Sequence, residues 1–475
     1  MTAVVMLLVR APKLLAALDV LGSLAVAILS CLIAKEVLRT GVLSAGVLRA
    51  DALTAIFLLL ISLLALSTSI YTVGWMKEEL AEGAMHEAHL RYYYALVHGF
   101  IGTMLCTVLA DNLGVLWIAM EGTTIMSALL VGFHGNRLAL EAAWKYIIVT
   151  TIGISFGLFG TVLIYAAATH AQGGASIDAM SWSAVAGMAD RLDPGIVRMG
   201  FIFVVVGYGT KAGLAPTHMW LPDAHSQAPS PVSALLSGVL IKCALFGIIR
   251  FHTIARGACG PEVSGDLLLI FGLLSVVFAT PFILAQNDLK RLLGYHSVEH
   301  VGIVALGLGF GGTIGTYGAL LHVINHGVTK ALVFFVAGDV IGRYQSRTME
   351  SIRGLLRLAP TVGVLLLLGA FSLAGVPPFS IFVSELLVVQ AGIASGHGIV
   401  VGVFLLMVVI IFAGLIHHAG GMAFGVPEPR EYHSRTSKAP VVGMLLLALV
   451  MVMLGLFIPP DLHRLLERAT EIILG

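Results

Sequence analysis

The sequence predicts an all-α, polytopic membrane protein with about 13–14 transmembrane helices, two of which are discontinuous. The 475-residue chain has a mean hydropathy of +0.98, with 58% hydrophobic and 11% charged residues. Soluble domains carry about twice this share of charged residues. No aqueous core could accommodate so much apolar sequence in one chain, so the solvent of these segments is predicted to be lipid.

Long apolar stretches follow one another along the whole chain. A membrane-spanning helix needs roughly 20 apolar residues, and the sequence contains about thirteen stretches of this kind. Polar connections separate several of the stretches, and the longest of them cover 77–91, 172–198, 343–357 and 428–438. The predicted spans centre near residues 25, 62, 101, 122, 155, 205, 240, 275, 304, 327, 372, 408 and 449.

Two of the predicted spans contain helix-breaking residues at matching positions. One runs from Gly207 to His225 around Pro216, and the other from Leu373 to Glu385 around Pro377-Pro378. The two interrupted spans are five spans apart. An odd number of spans between equivalent elements gives the two repeats opposite topology, so the sequence predicts two inverted five-helix repeats. The predicted organisation is 1–92 as N-terminal helices, 93–250 and 266–425 as the two halves, and 426–475 as a C-terminal transmembrane helix and tail.

The basic residues predict the orientation of the bundle. Alternate loops are assigned to opposite sides, and one side collects about fifteen Lys and Arg residues against about nine on the other. The positive-inside rule then predicts a bacterial inner-membrane protein with a cytoplasmic N-terminus and an external C-terminus. The basic side holds Arg10, Lys13, Lys77, Arg91, Lys290, Arg291, Arg343, Arg347, Arg353, Arg357, Arg430, Arg435 and Lys438.

Net charge and cysteine spacing exclude two classes of function. A formal net charge of +1 gives no electrostatic attraction for nucleic acid. The cysteines Cys31, Cys106, Cys243 and Cys259 are isolated, and no C-x-x-C pair occurs. The sequence therefore predicts no iron–sulfur, zinc or other cofactor on this chain.

Three ionisable residues lie inside apolar stretches of the first half. An ionisable group at bilayer depth costs roughly 3 kcal/mol on insertion scales and is a functional-site hypothesis by default. Glu121 and Lys211 are predicted to act as an acid and a base whose mutual attraction depends on protonation. Lys242 is predicted to belong to the same path. The structural alternatives are a pairing or capping role for Glu121 and a lysine side chain extended to the interface for Lys242.

The closest spacing of protonatable groups is His322, His326 and Lys330. Steps of four residues place all three on one face of one helix, about 6 Å apart. Imidazole titrates nearest neutral pH, so this face predicts a proton relay. Structural hydrogen bonding and a bound metal are the alternatives, and a metal is disfavoured because no H-E-x-x-H pattern occurs and the lysine on the same face repels a cation.

Glu385 follows the proline pair of the second interrupted span and is predicted to end the proton path. A structural carboxylate that neutralises Lys330 is the alternative. The run Gln286 to His300 is predicted to be a cytoplasmic loop that enters the next span. Further candidates for relay, anchoring or a hydrated entrance are Lys145, His218, Asp223, His225, His417 and His418.

Several motifs resemble one membrane protein family. T-K-A-G-L-A-P-T-H-M-W-L-P-D-A-H, Q-N-D-L-K-R-L-L-G-Y-H-S and G-V-P-P-F look like the antiporter-like proton-pumping subunits. That family is shared by respiratory complex I, membrane-bound hydrogenases and multisubunit sodium/proton antiporters. E-G-T-T-I-M-S and L-L-H-V-I-N-H-G-V-T-K most resemble component F of hydrogenase-4-type complexes.

The resemblance implies roles for matching residues. Glu121 and Lys211 match the family's functional glutamate–lysine pair, and Glu385 its terminal charged residue. Lys242, His322, His326 and Lys330 match its central hydrophilic axis. Two departures are visible: the first of the family's fourteen spans is missing or reduced to 1–9, and no long lateral helix follows Gly475.

The resemblance also implies other membrane-arm subunits and a peripheral redox arm as partners. Iron–sulfur centres, and nickel–iron centres in a hydrogenase, would lie on those partners. The expected function is proton translocation in a membrane-bound redox complex. A sodium/proton antiporter module without redox coupling and a structural membrane-arm subunit are the alternatives.

Overall fold

The computed structural model describes residues 2–83, 85–174, 177–427, 432–435 and 437–475, which fold mainly into α-helices. A two-stranded antiparallel hairpin, β1 (Leu43–Ala45) and β2 (Leu48–Ala50), pairs Leu43 with Ala50. The first helices are α1 (Thr2–Leu8), α2 (Pro12–Thr40), α3 (Ala52–Ala81), α4 (Glu87–Leu109), α5 (Leu113–Val131) and α6 (Arg137–Gln172).

The helices of the middle of the chain include the first interruption. They are α7 (Trp182–Gly187), α8 (Pro194–Ala212), α9 (Trp220–Gln227), α10 (Ser230–Leu235) and α11 (Ile241–Cys259). Short 3₁₀ turns cover Ile177–Met180 and Ala189–Arg191, and a π-helical segment, Leu236–Leu240, joins α10 to α11.

The last part of the chain contains the second interruption. Its helices are α12 (Pro261–Ala285), α13 (Leu289–Phe310), α14 (Gly312–Tyr344), α15 (Leu355–Leu358), α16 (Pro360–Leu373), α17 (Ser380–Ala394), α18 (Gly398–Phe424), α19 (Ala439–Leu456) and α20 (Pro460–Leu474). A 3₁₀ turn, Met349–Ser351, lies between α14 and α15.

The described helices confirm the predicted fold class. Eleven are long and apolar enough to cross a membrane, with α10 and α11 counted as one. The other two predicted spans are α13, which is more polar, and the pair α16 and α17, which are individually short. The apolar segments of α10–α11 and α14 are completely buried, so the other helices pack around them.

Both predicted interruptions are present. The helix α8 ends at Ala212 and is followed by Gly213, whose φ of +85° suits glycine, and α9 begins at Trp220. The helix α16 ends before Gly375 (φ +64°), and α17 begins at Ser380. The inverted repeat and the boundaries of its halves stay a prediction.

The prediction of a loop over Gln286–His300 is wrong for most of that run. Helix α13 begins at Leu289, and Lys290, His296, Glu299 and His300 are at most 2% exposed. Polar residues lowered the average hydropathy and suggested exposure. They face the interior of the bundle instead, as polar groups in membrane helices generally do.

The two ends of the bundle are named by the connections they carry. The α3–α4 face holds the connection between α3 and α4, and the α2–α3 face is the opposite end. After α19 the chain forms the amphipathic helix α20. Leu465, Leu466, Ala469 and Ile473 of α20 are buried, and Arg468 donates hydrogen bonds to the carbonyls of Val37 and Leu38.

Candidate functional site

Glu121 and Lys211 are linked through a hydroxyl group. Thr124 Oγ1 donates to Glu121 Oε2 at 3.1 Å and accepts from Lys211 Nζ at 2.6 Å. Thr151 Oγ1 donates to the other oxygen of Glu121 at 3.0 Å. The predicted glutamate–lysine pair is therefore brought together, but a threonine lies between the two charges.

Lys211 is completely buried at the C-terminal end of α8. A cation is favoured there because the last carbonyls of a helix carry partial negative charge. Its Nζ also donates to the hydroxyl of Tyr146 at 2.7 Å and lies 4.8 Å from the centre of that ring. The Tyr146 hydroxyl bonds Ser127 Oγ at 2.7 Å. Hydroxyl groups thus solvate the buried ammonium.

Lys242 is completely buried next to the π-helical segment. Its Nζ donates to the carbonyl of Ser237 at 2.5 Å, and it lies 2.7 Å from Nδ1 of His326. The π-helical segment shifts the backbone hydrogen-bond pattern from the i−4 to the i−5 carbonyl. The lysine therefore bonds its own helix on one side and α14 on the other.

Four imidazole rings continue from Lys242 across two helices. The His326 ring stacks on that of His300 with centroids 4.4 Å apart, and His300 Nδ1 lies 3.0 Å from His322 Nε2. His322 and His326 themselves are 6.1 Å apart, as the helical spacing predicted. The fourth ring, His296, is 6.1 Å from His300. Because His300 of α13 bridges the two α14 histidines, the predicted single-helix ladder is in fact a two-helix cluster.

Lys330 and Glu299 lie at the other end of this cluster. Lys330 Nζ donates to the carbonyl of Leu293 at 2.7 Å, and Glu299 is the acidic group whose charge acts on it. Glu299 Oε2 lies 2.9 Å from His296 Nδ1. The alternative that Glu385 neutralises Lys330 finds no support in these contacts.

Glu385 is 8% exposed on α17, directly after Ser384. Ser384 Oγ lies 3.0 Å from His322 Nδ1, so the imidazole cluster reaches the residue next to Glu385. Asn325 of α14 donates to the Ser380 carbonyl at 2.6 Å and holds the start of α17 in place. We call the set Glu121, Thr124, Lys211, Lys242, His296, Glu299, His300, His322, His326, Lys330 and Glu385 the buried polar axis.

A cavity of about 420 Å³ opens on the α3–α4 face and is called here the vestibule. Lys290 lies in its wall, almost fully buried, and donates to the carbonyl of Ala228. His225 lies three residues before Ala228 in the chain. It is completely buried, and neither of its ring nitrogens has a hydrogen-bond partner. The other ionisable residues of the vestibule wall are Glu79, Glu82, His134 and Arg347.

Lys145 and Asp223 form a separate network on the same face. Lys145 Nζ lies 2.7 Å from Glu141 and 3.3 Å from Asp223, with half of its side chain exposed. Arg291 contacts Asp223 at 3.3 Å, and a cavity of about 230 Å³ opens beside these side chains. This placement favours the anchoring role for Lys145. His218 lies behind this network, 8% exposed, with its ring 6.4 Å from that of Tyr295.

His417 and His418 line a third cavity on this face, of about 190 Å³, together with Glu350 and Arg353. A void of about 20 Å³ lies between His418 and Leu293, whose carbonyl accepts from Lys330. Its other lining residues are Leu289, Leu292, Val333, Leu366, Ala370, Leu373, Leu415, Ala419 and Met422. Apart from His418, the side chains that line this void are apolar.

His296, Glu299 and His300 were not predicted as site residues. Their i, i+3, i+4 spacing in H-S-V-E-H places them on one helix face, which is the signal that could have found them. Their ligand atoms lie within 4.8 Å of one another. Lys330 and Lys242 act on the same cluster with positive charge, which disfavours a bound cation, and we assign no metal to it.

The fold and the buried polar axis together define a class. Ionisable groups buried in a bundle of membrane helices and placed between two interrupted helices are typical of proteins that move ions.

The comparisons with known proteins identify the family. Residues 110–415 match the family described as NADH:quinone oxidoreductase/Mrp antiporter, TM, and the chain belongs to it. It is 33% identical over 401 residues to a hydrogenase-4 component F homolog of Methylacidiphilum infernorum, covering 83% of this chain and 82% of that protein. It is 29% identical to hydrogenase-4 component B of Escherichia coli, covering 82% of this chain and 59% of that longer protein. These findings confirm an antiporter-like membrane subunit.

Solved structures share the fold. A chain of the archaeal membrane-bound sulfane sulfur reductase aligns with a TM-score of 0.86 at 24% identity, covering 100% of this chain and 96% of that chain. A chain of the Mrp complex from Dietzia sp. aligns with a TM-score of 0.86 at 21% identity, covering 100% and 97%. A chain of Thermus thermophilus respiratory complex I gives 0.77 at 24% identity, covering 96% and 95%.

Proposed function

We propose that this chain translocates protons as an antiporter-like subunit of a membrane-bound redox complex. The buried polar axis is the observation that carries the proposal. Each of its charged groups is costly in a lipid environment, and a packed apolar side chain would avoid that cost. The relatives named as hydrogenase-4 component F and as NADH-quinone oxidoreductase subunit N support a redox complex.

The mechanism begins at the Glu121–Thr124–Lys211 contact. While Lys211 is charged, the Thr124 hydroxyl transmits its attraction to Glu121 because it accepts from one group and donates to the other. When Lys211 gives up its proton this attraction ends. The loss of attraction between Glu121 of α5 and Lys211 of α8 is thereby coupled to the transfer of a proton toward Lys242.

The proton then follows the imidazole rings. Lys242 passes it to Nδ1 of His326. The rings of His326 and His300 stack without a hydrogen bond, so a water that bridges their unpaired Nε2 atoms would carry the proton to His300, which bonds His322. Ser384 connects His322 to the segment that bears Glu385, the proposed release group. Each imidazole can accept at one nitrogen and donate at the other, which suits this sequence of transfers.

The vestibule is the proposed intake for the axis. Its wall contains Lys290, and behind Lys290 lies His225 with two unpaired ring nitrogens. The charges of Lys290, Lys242 and Lys330 all act on His225, so it lies near both the vestibule wall and the axis. Water that bonds these nitrogens would join the two.

The proposed location is the bacterial inner membrane with the α3–α4 face in the cytoplasm. The Lys and Arg bias supports this orientation. Of the basic residues counted for it, Arg430 lies outside the described residues. The N-terminus is then cytoplasmic and α20 external.

The proposed partners are further membrane-arm subunits, which the relatives named as subunits support, and a peripheral redox arm. Iron–sulfur centres, and nickel–iron centres if the complex is a hydrogenase, would lie on that arm. Electron transfer there would drive the proton displacement in this chain.

A sodium/proton antiporter module without redox coupling is the second candidate. The fold shared with a chain of an Mrp complex favours it. The same buried polar axis would serve it, so the two candidates differ in partners and in the driving force. Co-purification of redox subunits would favour the first, and exchange driven by an ion gradient alone would favour the second.

The test uses the intact complex, purified in mild detergent and reconstituted into liposomes. Lys211→Ala is expected to reduce redox-driven proton transport by about tenfold or more, since loss of one such interaction is worth at least about 1.4 kcal/mol. Lys77→Ala removes an exposed lysine from α3 and should leave transport unchanged. Unchanged pumping by assembled Lys211→Ala would exclude the mechanism.

A further inference from the structure

A second buried polar cluster lies among α2, α3 and α4, away from the buried polar axis and outside the family match at residues 110–415. Asp19 Oδ1 lies 2.9 Å from His98 Nε2 and accepts a hydrogen bond from Ser69 Oγ at 2.9 Å. Ser69 in turn bonds Ser23 Oγ at 2.8 Å. Four polar side chains from three helices therefore form one hydrogen-bonded chain.

Burial of the ionisable groups of this cluster costs free energy. Asp19 is 1% exposed and His98 is 8% exposed, and both belong to helices that cross the membrane. A lone carboxylate in such surroundings is strongly disfavoured, whereas a carboxylate and an imidazole that share one proton form a net-neutral pair. Packing alone does not require ionisable groups here, because apolar side chains of similar size pack these helices at no electrostatic cost.

A tyrosine leads from this cluster toward the vestibule. Tyr93 is 1% exposed, and its hydroxyl lies beside the side chain of Thr72 of α3. Its ring lies 6.4 Å from that of Trp75, and both Trp75 and Glu79 line the vestibule. The charges of Asp19 and Glu79 both act on the Tyr93 hydroxyl, so it lies near both carboxylates.

The titratable groups around the pair come from two of the neighbouring helices. Helix α3 contributes Glu79, and α4 contributes Tyr93 and Tyr94, whose hydroxyls both feel the charge of Asp19. The described residues of α1, Thr2–Leu8, include no titratable side chain. Asp19 is thus the acidic centre of this region and His98 its basic partner.

We propose that Asp19 and His98 form a peripheral proton-binding site that exchanges its proton with the vestibule through Tyr93 and Glu79. Uptake of one proton converts an ionised carboxylate beside a neutral imidazole into the net-neutral pair. Release returns that proton to water in the vestibule, so charge and atoms balance. The site stores a proton beside the intake of the chain, and its occupancy does not depend on transport along the buried polar axis.

The test measures protonation directly on the purified complete complex. Infrared difference spectra recorded between two pH values should contain a band of the Asp19 carboxyl or carboxylate group that is lost in Asp19→Asn and shifted in His98→Gln. Ser23→Ala, which removes the outermost hydroxyl of the cluster, should retain the band. Because this measurement needs no turnover, it can succeed or fail independently of the Lys211→Ala experiment.

The proposed route has its own kinetic test. After a pH jump, Tyr93→Phe should slow the appearance of the band about tenfold without changing its final size, while Tyr92→Phe, at an exposed tyrosine, should not slow it. If Asp19→Asn does not assemble, His98→Gln supplies the same comparison.

Three outcomes would overturn the proposal. Identical carboxyl spectra for wild type and assembled Asp19→Asn, or for wild type and assembled His98→Gln, would make the pair a packing contact. A band that responds to sodium concentration at constant pH would make it a cation site instead. An unchanged rate in Tyr93→Phe would remove the connection to the vestibule.

Discussion

His300 occupies the position where the two helices of the imidazole cluster meet. It stacks on His326 and bonds His322, whereas the described contacts give no direct bond between His322 and His326. The transfer from Lys242 toward Glu385 therefore depends on a residue of α13 that the α14 spacing alone does not reveal.

Replacing His300 by phenylalanine should stop proton transport while the complex still assembles. The aromatic ring keeps the packing, but the nitrogen that bonds His322 is lost. We expect at least about a tenfold decrease in pumping per electron, measured by pH-dye response in reconstituted liposomes.

His252→Phe is the matched control for that experiment. His252 is a buried histidine of α11 whose ring lies 6.0 Å from that of Phe201, and it takes no part in the buried polar axis. Equal losses in the two variants would show that His300 acts through packing.

At the scale of elements, the break between α16 and α17 positions Glu385. Gly375 lies in this break with a φ of +64°, and a Cβ atom there would lie 2.3 Å from Glu385 Oε2. The glycine therefore provides the space that the carboxylate occupies. Substitution of the glycine would move the carboxylate, because its side chain is the flexible partner of the contact.

Gly375→Ala should reduce proton transport several-fold more than Gly396→Ala. Gly396 follows α17 with a φ of +80° and has nothing within 4 Å of its would-be Cβ, so it carries the same backbone strain without the contact. Both variants should lose about 1–2 kcal/mol of stability. Equal transport in the two variants would contradict a positional role for Gly375.

The start of α3 is fixed to α11 by an ion pair that the sequence did not reveal. Asp51 binds Arg250 through two hydrogen bonds of 2.8 and 2.9 Å, and the Arg250 guanidinium lies 4.0 Å from the Trp182 ring. Burial alone would raise the pKa of Asp51, but the charge and hydrogen bonds of Arg250 outweigh it and lower the pKa to about 2.

Asp51→Asn should destabilise the protein by about 3–5 kcal/mol, because it leaves Arg250 buried without a counter-charge. Arg49→Gln removes a half-buried partner 3.4 Å from the same carboxylate and should cost less than about 1 kcal/mol. Thermal unfolding in detergent measures both. Similar losses of stability in the two variants would contradict Arg250 as the main partner of Asp51.

The Asp51–Arg250 pair makes the stability of the protein depend on pH. The folded pKa of Asp51, about 2, is below its ordinary value of 3.8. Its contribution is therefore fully present above the ordinary pKa and is lost as the pH falls toward about 2. The stability difference between wild type and Asp51→Asn should be constant near neutral pH and shrink in acid.

For the whole molecule, the two faces of the bundle differ. The vestibule, the cavity beside Lys145 and the cavity beside His418 all open on the α3–α4 face. On the opposite face, α20 packs across the bundle, where the carbonyl of Leu474 accepts from Arg256 and His463 bonds Tyr317. These three cavities, each lined by charged residues, thus open at the same end of the bundle.

The proposed orientation predicts the location of inserted reporters. Alkaline phosphatase fused after Gly475 should be active, because it would be external, and the same reporter inserted between Ser346 and Met349 should be inactive. A cytoplasmic fluorescent reporter should give the reverse pattern. Active phosphatase at both positions, or at the loop alone, would contradict the orientation.

The sequence by itself determined the membrane class, the two interruptions and most charged positions of the axis. Hydropathy and proline placement are properties of short segments, so they do not depend on which helices meet. The roles of Glu121, Lys211, Lys242, His322, His326, Lys330 and Glu385 stay predictions that the transport experiments test.

Only the tertiary structure decided how those residues connect. Thr124 between two charges, His300 between two histidines and Arg250 beside Asp51 are contacts across different helices. Spacing along one helix cannot specify them, because each depends on how neighbouring helices are rotated and on the burial that makes an unpaired polar group costly.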